Sequence, residues 1–291
     1  MASGGLKYYM ARLNVAEKLI GINVLVFIAS GLLAVLFGIP KDALLNWFEL
    51  PEDINEFITK PWTLVTYAFF HGSLGHIFWN MLLLYFFGRI FLNLFDNQRF
   101  LNVYFLGIIF GGLLFMLGYN VFPMLLSTNA ILIGASAGVS AVLIFVCAYI
   151  PSREVRIIFF NIKLWQLAVF VVLKDVISLS MGSNVGGMLA HFGGILLGYV
   201  YATQLLKGND IGSGFAKLWK GIAQLFKPRE KKGPLKTVYK KKTSKNRAKV
   251  DYDKAAHQKK IDDILDKISK SGYESLSKAE KDFLFKAGKE D

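Results

Sequence analysis

Charge is what most of this sequence lacks. Only 19% of its 291 residues are charged, while 54% are hydrophobic and 14% aromatic. That balance is too apolar for an ordinary soluble domain and suits a chain that crosses a membrane several times. The charge it has is unevenly placed. Residues 1–206 carry 11 Lys or Arg against 9 Asp or Glu, whereas residues 207–291 carry 23 against 12. Cysteine is almost missing too. Cys147 alone excludes an intrachain disulfide, and its apolar surroundings read as those of a small hydrophobe. Three histidines, His71, His76 and His191, fall in the apolar body without a thiol or carboxylate at metal-ligand spacing. The expectation is no metal site.

What remains is apolar length. The runs predict an all-α fold, a polytopic membrane helical bundle of six transmembrane helices at 19–39, 74–95, 100–119, 134–150, 157–180 and 186–206. A small helical C-terminal module follows. The first run is longer than a signal h-region and lacks a clear small-residue cleavage site, so it is expected to be retained. Lys and Arg collect in alternate loops: Lys7, Arg12, Lys18, Arg89, Arg99, Arg153, Arg156, Lys163 and the basic tail share one side. The positive-inside rule then places both termini in the cytoplasm. The expected domains are a cytoplasmic N-terminus at 1–18, a six-span membrane domain at 19–206, a basic disordered linker at 207–255 and the helical module at 256–291.

Three polar clusters interrupt the apolar body, each near the outer end of a predicted span. Gly134-Ala135-Ser136-Ala137-Gly138 brackets a serine with small residues. His76 and Asn80 lie four apart on one helical face of the second span, and His191 begins the sixth beside Gly193, Gly194 and Gly198. Polar groups at membrane depth are costly unless they face the bundle interior or a water-filled cavity, so a shared hydrated cavity is expected. Small residues on the fourth and sixth spans would let those helices approach closely. Ser136 then gains a base in His191. The side chains of His76 and Asn80, with the Ser136 amide, could stabilise an oxyanion. No acidic residue is evident as a third member, so a Ser136–His191 dyad is expected. Lys174 and Asp175 are expected to snorkel or to pair locally.

These motifs resemble the rhomboid family of intramembrane serine proteases over roughly residues 15–206. His71-x4-His76-x3-Asn80 is similar to its second-span signature and Gly134-x-Ser136 to its nucleophile motif. Ala190-His191-x2-Gly194-x3-Gly198 is similar to its sixth-span signature, and Pro61-Trp62 opens its first-loop motif. The resemblance implies Ser136 as nucleophile, His191 as general base, and His76 and Asn80 as oxyanion donors. It implies supporting places for His71, Gly134 and Gly194, and a capping loop, for which Met181 to Gly187 is glycine-rich enough. It further implies a bacterial inner-membrane location, no cofactor, and single-span transmembrane protein substrates cut near the outer face. Thr63, Ala137 and Ser140 depart from residues common in the family. The alternative is a non-catalytic rhomboid-like protein that binds membrane proteins.

In the tail, Lys240-Lys241-Lys242 and the surrounding cations are expected to sit against an anionic lipid surface, with no nucleic-acid partner. Ile261, Ile264, Leu265 and Ile268 have helical spacing, and Gly272-Tyr273 predicts a turn before Phe283, Leu284 and Phe285. Together they give a helical hairpin read as an interaction module.

Overall fold

The computed structural model describes residues 11–122, 130–157, 160–182, 184–225 and 244–287, together with Gly5 and Tyr8. Six long helices occupy the apolar body: α1 (Val15–Phe37), α2 (Leu74–Leu92), α3 (Asn97–Val121), α4 (Ser136–Tyr149), α5 (Leu164–Ser180) and α6 (Val185–Leu206). Their starts are written in short polar side chains. Asn14 and Glu17 form a reciprocal capping box on α1, Ser73 accepts from His76 N–H on α2, and Asp96 accepts from Arg99 N–H on α3.

Four of the six, α1, α2, α3 and α6, are long and apolar enough to cross a membrane on length and composition. The other two fall short for different reasons. α4 has 14 residues, about 21 Å at 1.5 Å per residue, against a hydrocarbon core of about 30 Å. α5 has 17 residues and carries Lys174 and Asp175.

α4 is the centre of the bundle, with 11 of its 14 residues, Ala137 to Cys147, buried. The cause is steric. A Cβ on Gly194 or Gly198 of α6 would strike the Ala137 or Ala141 carbonyl oxygen, and one on Gly193 would lie 2.6 Å from the Phe110 oxygen of α3. On α3, a Cβ on Gly111 would come within 2.5 Å of the Ala137 methyl. Backbones therefore approach as they do in membrane helix pairs, where tight van der Waals packing replaces a hydrophobic driving force. Below this seam Phe91, Phe95, Phe145 and Tyr201 fill the space, the Phe91 and Phe145 rings 4.8 Å apart.

Two short ladders interrupt the helical plan. β1 (Leu50–Pro51) pairs antiparallel with β2 (Ile131–Leu132), and β3 (Glu154–Ile157) pairs with β4 (Phe160–Lys163). The second corrects the predicted fifth span. Residues 154–157 and 160–163 pair as antiparallel strands in place of a helix, Val155 opposite Ile162, so α5 begins only at Leu164.

The tail differs from its expected form as well. A helix, α7 (Ser213–Leu225), stands inside the predicted disordered linker. It follows a polar clamp in which Arg99 and Tyr201 donate to the Asp210 carboxylate and Asn102 donates to the Gly212 carbonyl. Residues 226–243, including the lysine run, lie outside the described residues. The chain divides into two compact units at Lys227 and Pro228. In the second, α8 (Ser244–Ser271) starts well before residue 256, and α9 (Lys278–Ala287) follows a turn at Gly272, which has φ +75°. The two helices form a hairpin, and Ser277 caps the second. Ser277 N–H donates to Glu280, and Glu280 N–H donates back to the Ser277 hydroxyl. Ile264 and Leu276 are its buried apolar pair.

Candidate active site

The segment ahead of α4 is held from several sides. β1 pairs with β2, Ala130 N–H donates to the Glu52 carboxylate, and Gly134 N–H donates to the Tyr67 carbonyl. Tyr67 is fully buried, and its hydroxyl donates to Ile108 on α3. Gly134 has φ +119°, a conformation that side chains disfavour, and a Cβ there would lie 2.6 Å from the His76 ring. His71, in the segment ahead of α2, is buried and its Nε2 accepts from Ala135 N–H at 3.4 Å. The His71 and His76 rings meet edge to face, 5.0 Å apart. Gly134 and His71 therefore fix the turn that leads into Ser136.

Ser136 opens α4. No side-chain cap covers that helix start, so the N–H groups of its first turn are left for another acceptor. Ser136, His191, His76 and Asn80 line one cavity of about 730 Å³, as do Ser140, Lys174 and Asp175. Four separated segments thus place polar groups in a single space. Gly194 lies one turn beyond His191, where its missing side chain seats α6 on the Ala137 backbone.

The arrangement is not a finished catalytic constellation. Among the described residues no hydrogen bond joins Ser136 to His191, and in unliganded enzymes such contacts are often long. One Asn80 amide hydrogen goes to the His76 carbonyl of its own helix, leaving the second for the cavity. Among the described residues no three His, Cys, Asp or Glu side chains are grouped to hold a metal.

One expectation fails. His191 has an acidic partner: its Nδ1 lies 3.0 Å from Oδ2 of Asp175, which is 1% exposed. Lys174 does pair locally, at 2.8 Å from the other carboxylate oxygen. But Asp175 reaches across to α6 and does not snorkel. Sequence alone gave little warning. An Asp in an apolar helix is itself a signal of function, yet the 16-residue separation from His191 follows no helical spacing.

The departures also find their places. The Ala137 methyl occupies the space left by Gly111. Ser140 is buried and lines the cavity. Thr63 is buried and its hydroxyl donates to the Lys60 carbonyl, while the first loop is held by the Trp62 indole Nε1–H on the Trp47 carbonyl at 2.8 Å and by Lys60 on Asn46.

Residues 59–208 match the model of the Rhomboid domain. The chain belongs to the rhomboid family. Its match covers α2 to α6 and every residue of the cavity named above. Over 160 residues the chain is 30% identical to "RHOMBOID-like protein 12, mitochondrial" of Arabidopsis thaliana, a stretch covering 50% of this chain and 47% of that relative. The chain therefore matches about half the length of the relative. Outside the rhomboid domain, residues 248–287 match a second model, Family of unknown function (DUF6576), which contains most of α8 and α9.

Proposed function

We propose that this rhomboid is an intramembrane serine endopeptidase that cuts single-span transmembrane proteins near the outer membrane face. The observation that carries the reading is the common cavity of Ser136, His191, His76 and Asn80, contributed by α4, α6 and α2. In this reading all six helices cross the membrane. α4 tolerates its short length because its backbone is enclosed by protein, and both termini lie on the cytoplasmic side. The membrane is the inner membrane of a bacterium. The cations of the tail lie against its anionic lipid surface.

Ser136 Oγ attacks the scissile carbonyl while His191 Nε2 takes its proton. The oxyanion is met by the Ser136 amide and by His76 and Asn80, and the imidazolium then returns the proton to the departing amine. Water from the cavity hydrolyses the acyl-enzyme by the same relay. The chemistry calls for no cofactor. The glycine-rich stretch at 181–187 acts as the cap that admits substrate, and Asn184 and Gly187 within it line the cavity.

The test is labelling of the purified full chain in detergent with a fluorescent fluorophosphonate. The parent should label, and Ser136→Ala should lose the label completely. His191→Ala should slow it by about 10³-fold or more. Absence of parental labelling, under conditions that label an active rhomboid, would favour a protein that binds membrane proteins without cutting them.

A further inference from the structure

α5 buries only two of its residues, Leu164 at its start and Asp175 near its far end. Burying a carboxylate is expensive unless its charge and lone pairs are met. Lys174 does not explain the burial, because its side chain is half exposed and could meet a carboxylate at the surface of the helix. What the burial secures is the contact with His191, whose Nδ1 lies 3.0 Å from the other carboxylate oxygen.

We infer that Asp175 is the positioning residue of the proposed reaction, holding His191 with Nδ1 protonated and Nε2 turned to the cavity. The inference rests on the protease reading above and adds a third group to its serine and histidine. A carboxylate accepts only, so Nδ1 must carry the hydrogen and Nε2 must carry the lone pair. The lone pair is then available to Ser136 in the same cavity. When Nε2 takes the serine proton, the positive charge forms on a ring already in contact with an anion. Asp175 stays ionised throughout, with Lys174 on its other oxygen at 2.8 Å. This is the role an acidic residue plays toward histidine in soluble serine hydrolases, reached here from a neighbouring membrane helix. The charged and titratable groups around the imidazole are His76 on α2, Lys174 and Asp175 on α5, and the Ser136 hydroxyl on α4. The Tyr119 hydroxyl of α3 lies against Gly186.

The experiment compares the parent with Asp175→Asn, which keeps the shape and removes the charge. Fluorophosphonate labelling rates are followed against pH on the full chain. The expected result is a maximal rate reduced about 100-fold. A role confined to helix packing would lower the yield of folded protein and leave the rate per folded molecule unchanged. Unchanged rates overturn the inference.

A second measurement does not depend on activity. Nitrogen NMR of the histidine rings in Ser136→Ala should show His191 protonated on Nδ1, and adding Asp175→Asn should shift the tautomer toward Nε2–H. The same tautomer in both overturns the positioning role even if the protein never labels. Failure of the parent to label, by contrast, counts against the protease reading alone.

Discussion

α4 and α5 stand next to each other in the chain and both reach the cavity, yet they are built in opposite ways. α4 buries 11 of 14 residues in a seam of glycine and alanine, whereas α5 buries 2 of 17 and turns Trp165, Leu173 and Ile177 outward. The proposed nucleophile comes from the helix whose position is over-determined. The carboxylate comes from one that packs through the partly buried Leu167, Ala168, Val171 and Val172 and adds the polar contact with His191. Elements with few buried contacts lie at the low end of local stability. The contrast suggests a division of labour in which Ser136 is fixed by packing and the orientation of His191 is set by charge.

The comparison can be broken most severely at the seam. Gly194→Ala places a methyl on the Ala137 carbonyl oxygen, and because backbone cannot yield as a side chain does, about 3 kcal/mol of stability should be lost. Thermal or denaturant unfolding in detergent would register it. A variant as stable as the parent would show that α4 and α6 are not locked together. Gly111→Ala tests the α3 side of the same helix and should cost about 2 kcal/mol by the same assay, because its opposing atoms include the Ala190 carbonyl at 2.8 Å.

A smaller effect sharpens the contrast through pH. Burial, followed by the neighbouring His76, drives the His71 imidazole down to about 4 from its ordinary 6.5, against the pull of its hydrogen bond with Phe69. A lowered histidine takes up its proton in the unfolded chain first. Its contribution to stability is therefore complete above pH 6.5 and declines as the pH falls toward 4. Melting temperatures measured from pH 7.5 down to pH 4 should show that decline, and His71→Gln should flatten it. An equal decline in both would assign the acid sensitivity to another group.

At the outward face of α5 the expected effect is smallest. Val169→Ala removes two methyl groups from a side chain that is 47% exposed and should change stability by no more than about 0.5 kcal/mol. A larger loss would mean that α5 is packed more firmly than its burial indicates.

Much of this was legible in the chain. Helices close to the expected positions follow from apolar runs bounded by Asn14, Ser73 and Asp96, because capping and burial are local or periodic demands. Small residues around Ser136 and His191 correctly foretold close approach of α4 and α6, since only glycine and alanine let backbones touch. The strand pair of 154–157 with 160–163 was not legible, because its β-branched and apolar residues are equally at home in a membrane helix. Nor was α7, whose residues were dissolved in the charge of the tail.

By itself, then, the sequence determined that the chain has an apolar helical body, where most of its helices start, and which polar residues had to share a cavity. The cost of burying polar groups in an apolar medium leaves few other arrangements. Only the tertiary structure decided that Asp175 faces His191. That contact depends on how α5 is rotated against α6, and packing between two helices sets that rotation while neither helix's own spacing records it.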